Sequence, residues 1–317
     1  MVAFYPPVSA YGRVPFEPHR SPHTQMSPTA WFLYAVTVLI WGSTWLGITF
    51  QLGKVDPLVS VIYRFALATL ALFAWCRFKR APLALSLREH GWIALQGSCL
   101  FALNYWLIYH AELYLTSGIV AVLFATLSFM NMLNGRIFFG RALSARMAGG
   151  ALFGVAGVGI LFWPEVQHLS LEDRAVKGAM LALASTYIAS LGNVVAGHNA
   201  RFRWPVITGN AWGMFYGTLL LLGIALVKGV DFHYPTELSY TLSLMYLALF
   251  GSVFAFGAYL RLIALIGPDR AGYSSTVTPV VALLMSTAFE GYHWGTPAIA
   301  GLLLILIGNV LVLRGRR

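Results

Sequence analysis

The chain has very few charged residues and, beyond its first 27 residues, no long polar segment. Charged side chains make up 10% of the 317 residues and hydrophobic ones 58%, whereas a typical soluble domain carries about 25% charged residues. Only 11 residues are acidic. These shortages exclude an ordinary soluble domain and indicate a chain built mainly to lie in lipid.

Cysteine and recognisable ligand motifs are also scarce. Cys76 and Cys99 have neither the number nor the spacing of a disulfide framework or a metal site. His198, His233 and His293 lack the spacing of metal ligands. No glycine-rich phosphate loop stands in a plausible context, which disfavours transport driven by ATP. We therefore expect no cofactor and no metal.

Apolar stretches fill most of what remains. A helix needs about 20 mostly apolar residues to cross a bilayer, and only helices and closed barrels satisfy their backbone groups in lipid. The stretches are too long and too uniformly apolar for barrel strands. They lie at 30–52, 57–76, 91–113, 117–138, 145–163, 175–197, 205–227, 240–262, 271–289 and 297–313. The sequence predicts an all-α integral membrane protein with ten transmembrane helices.

Basic residues predict how these helices are oriented. If the N-terminus is cytoplasmic, 16 of the 21 Lys and Arg residues fall on the cytoplasmic side, 4 fall outside, and Arg64 lies within a span. Cytoplasmic loops are enriched in Lys and Arg, so we expect both termini in the cytoplasm and a multi-pass location in the inner (plasma) membrane. The basic residues that give the net charge of +10 are thus explained by their role in orienting the helices in the bilayer, and no nucleic-acid partner is expected.

The chain shows signs of an internal repeat. A shift of 151 residues aligns 128–157 with 279–308 without a gap, and glycines coincide at three positions. Five spans in each half would make the two repeats inverted, as in many secondary transporters. The predicted organisation is a disordered cytoplasmic tail at 1–27, a first five-helix repeat at 28–163, an external loop at 164–174 and a second five-helix repeat at 175–317.

These features resemble the EamA family of the drug/metabolite transporter superfamily. The resemblance covers about residues 30–314. The residues that carry it are Thr278-Pro279, Phe289-Glu290-Gly291, Gly301 and Gly308, the first-half residues Ser128, Gly140, Gly150 and Gly157, and Trp41-Gly42-Ser43 with Arg64. Two departures stand out: Ser128 replaces a usual proline, and Gly140-Arg141 replaces a common Gly-Glu pair. The resemblance implies export or exchange of amino acids and other small metabolites.

Candidate cavity residues are polar and aromatic side chains deep in the spans, because ligand sites are mostly apolar with a few placed polar groups. They are Trp41, Ser43, Thr44, Arg64, Asn104, Tyr105, Asn131, Asn193, Tyr259 and Ser275. Such groups also join helices in membranes, so each has a structural alternative. Arg64 attracts a substrate carboxylate, bridges helices or extends to the outer interface.

The acidic residues are expected to be structural. The first span and the span at 175–197 contain no Asp or Glu. Small multidrug members of the superfamily, by contrast, exchange protons through a glutamate in their first span. Glu112 and Glu290 are expected at outer helix ends near the interface, as anchors, with proton coupling through either of them as the alternative. We expect facilitated diffusion or exchange rather than coupling through an embedded carboxylate.

The leading prediction is a secondary transporter that exports small metabolites, aromatic or apolar amino acids among them, by alternating access. Two alternatives remain open. An integral membrane enzyme would need convergent catalytic groups, which the spans do not offer. A channel or a structural membrane subunit is disfavoured only by the inverted repeat.

Overall fold

The computed structural model describes residues 26–140, 144–161, 163, 174–202, 204–266, 271 and 273–314. Within these residues every regular element is helical, which confirms the predicted all-α class. Most of the predicted tail (1–25), most of the predicted external loop (164–173) and Arg141 lie outside the described residues.

The helices follow the apolar stretches of the sequence. In the first half they are α1 (Pro28–Thr49), α2 (Pro57–Phe78), α3 (Leu87–Gly97), α4 (Asn104–Ala111), α5 (Ser117–Phe124), α6 (Leu127–Phe139) and α7 (Ala145–Leu161). In the second half they are α8 (Arg174–Asn199), α9 (Val206–Lys228), α10 (Leu238–Met245), α11 (Ala255–Ile266), α12 (Ser274–Phe289) and α13 (Thr296–Arg314). Two π-helical segments, Ser98–Leu103 and Tyr246–Phe254, join α3 to α4 and α10 to α11.

Local sequence signals explain where several helices begin and end. The side chains of Ser27 and Asp56 accept hydrogen bonds from the first turns of α1 and α2, each of which opens with proline. Such N-caps satisfy backbone donors that have no partner within the helix. Gly140 and Gly229 end α6 and α9 with φ of 63°, a left-handed conformation that glycine adopts without strain.

Helix length and hydropathy agree with a membrane protein. Within the described residues, six helical stretches are long and apolar enough to cross a bilayer, and three more apolar helices are shorter. The long ones are Pro28–Thr49, Pro57–Phe78, Ser117–Phe139, Arg174–Phe202, Val206–Lys228 and Leu238–Tyr259; the shorter ones are Ala145–Leu161, Ser274–Phe289 and Thr296–Val312. The count of ten crossings stays a prediction.

Close helix packing relies on small residues. Helices α7 and α13 form the most extensive contact of the bundle. A Cβ added to Gly157 would lie 2.7 Å from the carbonyl oxygen of Gly301, and one added to Gly150 would lie 2.7 Å from that of Gly308. Small residues let helix backbones approach in this way. Elsewhere in the bundle, α1 packs on α12, α2 on α9, and α4 on α8.

Candidate substrate cavity

A small cavity lies where helices of the first half converge. It offers about 50 Å³ of space, enough for a few water molecules. Helices α1, α2, α4 and α5 supply its walls. The lining residues are Thr44, Trp45, Ile48, Arg64, Asn104, Tyr105, Ile108 and Phe124.

A larger groove on the surface of α9 has a different character. It measures about 450 Å³ and its walls are almost wholly apolar. The lining residues are Leu219, Leu220, Gly223, Ile224, Val227 and Lys228. A specific ligand site needs a few placed polar groups, and Lys228 stands at the end of the helix rather than among such groups. The smaller cavity, which contains Arg64, is therefore the better candidate.

Arg64 is the central charge of the cavity and is only 2% exposed. Its Nε donates a hydrogen bond to Oγ of Ser252 at 3.3 Å. Its guanidinium carbon lies 4.6 Å from the ring centroid of Tyr105 and 5.4 Å from that of Phe65. Ring faces attract cations, most strongly where water is excluded. Nη1 has no hydrogen-bond acceptor among the described residues, so the guanidinium retains one unused donor group.

The polar neighbours of Arg64 already have partners within the protein. The Asn104 amide donates to the carbonyl of Leu100 at 3.2 Å and accepts from the Ser185 hydroxyl at 2.7 Å. The Thr44 hydroxyl donates to the carbonyl of Trp41 at 2.8 Å. These bonds hold Asn104 and Thr44 in place, and Arg64 is the charged lining group, with a donor to spare at Nη1.

Rings form the apolar side of the cavity. The rings of Trp45 and Phe124 lie 5.4 Å apart, and Phe65 packs edge-on against Tyr105 at 4.8 Å. Such tilted and edge-to-face arrangements are favourable for aromatic pairs. An aromatic wall beside a cation suits a ligand with a flat or apolar body and one negative group.

The structure brings four of the ten predicted site residues into the cavity lining: Thr44, Arg64, Asn104 and Tyr105. Three others join α1 to the second half of the chain. Trp41 donates from Nε1 to the carbonyl of Gly251 at 3.3 Å, and its ring lies 5.1 Å from that of Tyr259. Ser43 hydrogen-bonds Tyr246 at 2.6 Å.

The remaining three predicted residues lie away from the lining. Asn193 donates to Asn131 at 3.2 Å, which joins α8 to α6, and Ser275 is exposed on α12. Sequence reasoning did not select Trp45, Ile48, Ile108 and Phe124, because apolar side chains in a span resemble ordinary core residues.

A second cluster of polar residues lies near the ends of α4 and α12. Tyr109 donates to Oε1 of Gln51 at 3.0 Å. Glu290 accepts a hydrogen bond from the backbone N–H of Ser117 at 3.1 Å and another from its hydroxyl. Glu112 directly follows α4 and is only 7% exposed. Glu112 therefore lies at a helix end, as the sequence predicted, but its side chain is buried within the protein.

Comparison with known proteins identifies the family. The sequence model of the EamA-like transporter family matches residues 29–163 and again residues 176–314. The chain belongs to the EamA-like transporter family. The two matches fall on the two halves of the chain and together cover most of it.

Similar proteins carry transporter names. An inner membrane transporter of Escherichia coli K12, YedA, is 30% identical over 92% of both chains. A protein of Salmonella typhimurium named as a probable amino-acid metabolite efflux pump is 25% identical over 92% of this chain and 98% of its own. A solved crystal structure with 18% identity superposes with a TM-score of 0.65 over 91% of this chain and 98% of its own, which shows the fold alone.

These findings establish the broad class of the protein. It is a multi-pass membrane transporter, and its family implies a small-molecule substrate and an inner-membrane location.

Proposed function

We propose that the protein is a secondary transporter that exports carboxylate-bearing small metabolites, above all amino acids with aromatic or apolar side chains. The observation that carries this proposal is the buried guanidinium of Arg64 with its unused Nη1. A carboxylate is the natural acceptor for such a group, because guanidinium and carboxylate form strong charge-assisted hydrogen bonds. The rings of Tyr105, Trp45 and Phe124 would hold the apolar body. The name of the Salmonella relative, an amino-acid metabolite efflux pump, supports the same substrate class.

The transport mechanism that fits this site is alternating access. With about 50 Å³ of space, the cavity is far smaller than the pockets of about 300 Å³ or more that hold drug-sized ligands. A substrate therefore needs its helices to separate on one side and then on the other. Switching would follow from contacts that differ between the two conformations.

Two inverted repeats, at 28–163 and 175–317, would provide that motion. Gly150 on α7 meets Gly308 on α13, and Gly157 meets Gly301, so the two helices run antiparallel. Adding 151 to the positions of Gly150 and Gly157 gives Gly301 and Gly308. The repeat therefore relates the Gly150–Gly308 contact to the Gly157–Gly301 contact. That is the pattern of a pseudo-two-fold axis in the membrane plane. The separate family matches to the two halves support the same division.

The proposed topology has ten crossings with both termini cytoplasmic, because Lys and Arg favour that side 16 to 4. Reporter fusions placed after residues 53 and 203 test it. The first junction should report the outside and the second the cytoplasm. Signals from the same side at both junctions, or a reversed pattern, would refute the topology.

Counterflow into proteoliposomes tests the function. Vesicles loaded with an unlabelled aromatic amino acid should accumulate the labelled form in a saturable way. Arg64→Met, which keeps length and removes the charge, should reduce counterflow to that of empty vesicles while folded yield stays near wild type. Lys54→Met is the matched control, because Lys54 is an exposed cation paired with Glu237, and it should transport normally.

Each competing class has a distinct outcome in this assay. A channel would give flux that does not saturate and no counterflow. An enzyme would give a chemically altered product. Either result, or full transport by Arg64→Met, would refute the proposal.

A further inference from the structure

We propose that Glu112 and Glu290 form a proton-binding pair at one end of the cavity, in which Glu112 carries the proton. The pair stands at the end of the bundle where α4 and α12 end and α5 begins. In the proposed topology this end faces the outside. The ligand class is the hydrogen ion, and the site is separate from the guanidinium that would bind substrate.

The surroundings of Glu112 favour its neutral form. The residue is only 7% exposed, and neither carboxyl oxygen has a hydrogen-bond partner among the described residues. An ionised carboxylate in an apolar interior is very unfavourable without donors or a paired cation, and such a group takes up a proton instead. A neutral carboxylic acid removes most of this penalty.

Glu290 has the opposite surroundings. It accepts hydrogen bonds from the backbone N–H and the hydroxyl of Ser117, the first residue of α5. The N-terminus of a helix stabilises a negative charge, so the start of α5 is a suitable partner for a carboxylate at Glu290. Two neighbouring carboxyl groups resist double ionisation, so a single proton is expected on the carboxyl group that has no hydrogen-bond donors among the described residues, Glu112.

Two other titratable or charged groups act on Glu112, namely Arg64 from α2 and Tyr109 from α4. The guanidinium of Arg64 is held by Ser252 and by the rings of Tyr105 and Phe65, and it donates no hydrogen bond to either oxygen of Glu112. Tyr109 gives its hydroxyl hydrogen to Gln51 and does not donate to Glu112. With no donor from these side chains, a bound proton is what neutralises the Glu112 carboxyl group.

Proton release would accompany opening of this end of the bundle. When water reaches Glu112, its O–H bond breaks, the proton passes to water and the carboxylate stays hydrated. Closing the same end strips that water away and requires the proton to return. Coupling of this cycle to substrate movement rests on the proposed function, whereas the bound proton itself does not.

Infrared spectroscopy of the purified protein, without substrate, tests the proton directly. At neutral pH the wild type should show the carbonyl stretching band of a protonated carboxylic acid. Glu112→Gln, which imitates the protonated form, should lose that band and fold normally. Glu237→Gln is the matched control, because Glu237 is exposed and paired with Lys54, and it should keep the band.

A second variant guards against misfolding of Glu112→Gln. Glu290→Gln removes the neighbouring negative charge, so the band should disappear at a lower pH than in the wild type. Absence of the band from the wild type at neutral pH, or its persistence in Glu112→Gln, would overturn the proposal. An unchanged titration in Glu290→Gln would overturn the pairing. None of these outcomes depends on whether the protein transports an amino acid.

Discussion

Arg64 and Glu112 are both buried charged residues in one bundle, yet their surroundings differ sharply. Arg64 has a hydroxyl on Nε and two ring faces within 5.4 Å of its guanidinium carbon. Glu112 has no hydrogen-bond partner for either oxygen among the described residues. A charge in a membrane protein persists where partners replace water. The protein is therefore built to keep a cation at Arg64 and not to keep an anion at Glu112.

The partners of Arg64 come from both halves of the chain. Tyr105 belongs to the first half, and Ser252 belongs to the π-helical segment of the second. If the halves move against each other during transport, the contact with Ser252 changes while the contacts with Tyr105 and Phe65 persist. Variants of Tyr105 and Ser252 therefore show which of these contacts keeps Arg64 competent to bind substrate.

The largest effect is expected from Tyr105→Leu, which removes the nearer ring from Arg64. A desolvated cation–π contact contributes about 0.5–2 kcal/mol. The half-saturating concentration in counterflow should therefore rise about two- to thirtyfold. Tyr105→Phe keeps the ring and should stay near wild type. Equal loss in both variants would show that the hydroxyl, and not the ring face, is what matters.

A smaller effect is expected from Ser252→Ala, which removes the hydrogen bond to Nε. Hydrogen bonds to charged groups contribute about 1.5–3 kcal/mol, but this one is long, at 3.3 Å. We therefore expect about 1 kcal/mol, or about a fivefold rise in the half-saturating concentration. Ser98 stands beside a glycine in the first π-helical segment and bonds the carbonyl of Ala94 in its own helix. Ser98→Ala is therefore the matched control and should change little. Similar losses in both variants would point to general helix damage.

The smallest effect is expected at Glu237. This exposed acid is paired with a cation, Lys54, whereas Glu112 has no such partner among the described residues. The hydrogen bond from Lys54 lowers the pKa of Glu237. Its stabilising contribution is thus present above the unfolded pKa of about 4.3 and is lost as the pH falls through the lower folded value. Acidification below about pH 4 should lower the melting temperature of the wild type slightly more than that of Glu237→Gln.

The same titration sharpens the contrast with the buried acid. Glu112→Gln should keep the full acid sensitivity of the wild type in this range, because Glu112 is already protonated in the proposal. If Glu112→Gln removes more acid sensitivity than Glu237→Gln does, Glu112 is ionised at neutral pH, and its assignment as the proton-carrying acid is wrong.

Much of the helical organisation was predictable, because apolar stretches of about 20 residues have few alternatives to helices in lipid. The deep charge at Arg64 and the nearby Thr44, Asn104 and Tyr105 stand out among apolar neighbours, so the sequence identified them. Which side chains share a cavity was less accessible. Ser43 and Thr44 are adjacent in α1 and point about 100° apart. Only the packing shows that one meets Tyr246 and the other lines the cavity.

Features set by tertiary contact could not be predicted. Glu112 follows the end of α4, a position that is usually wet, and its burial depends on how the ends of other helices cover it. The two π-helical segments are likewise hidden in apolar sequence, although each contains or adjoins a Gly-Ser pair, Gly97-Ser98 and Gly251-Ser252. Trp45 and Phe124 look like core residues until the cavity between them is known.

Ligand-dependent thermal stabilisation tests most directly whether Arg64 recognises a substrate carboxylate. Phenylalanine and phenylalaninamide differ only at the carboxyl group. Phenylalanine should stabilise the purified wild type at concentrations at least about tenfold lower than the amide does, a difference of about 1.4 kcal/mol, and Arg64→Met should abolish this difference. Equal stabilisation of the wild type by both compounds, or an undiminished preference for the carboxylate in Arg64→Met, would contradict recognition of the carboxylate by Arg64.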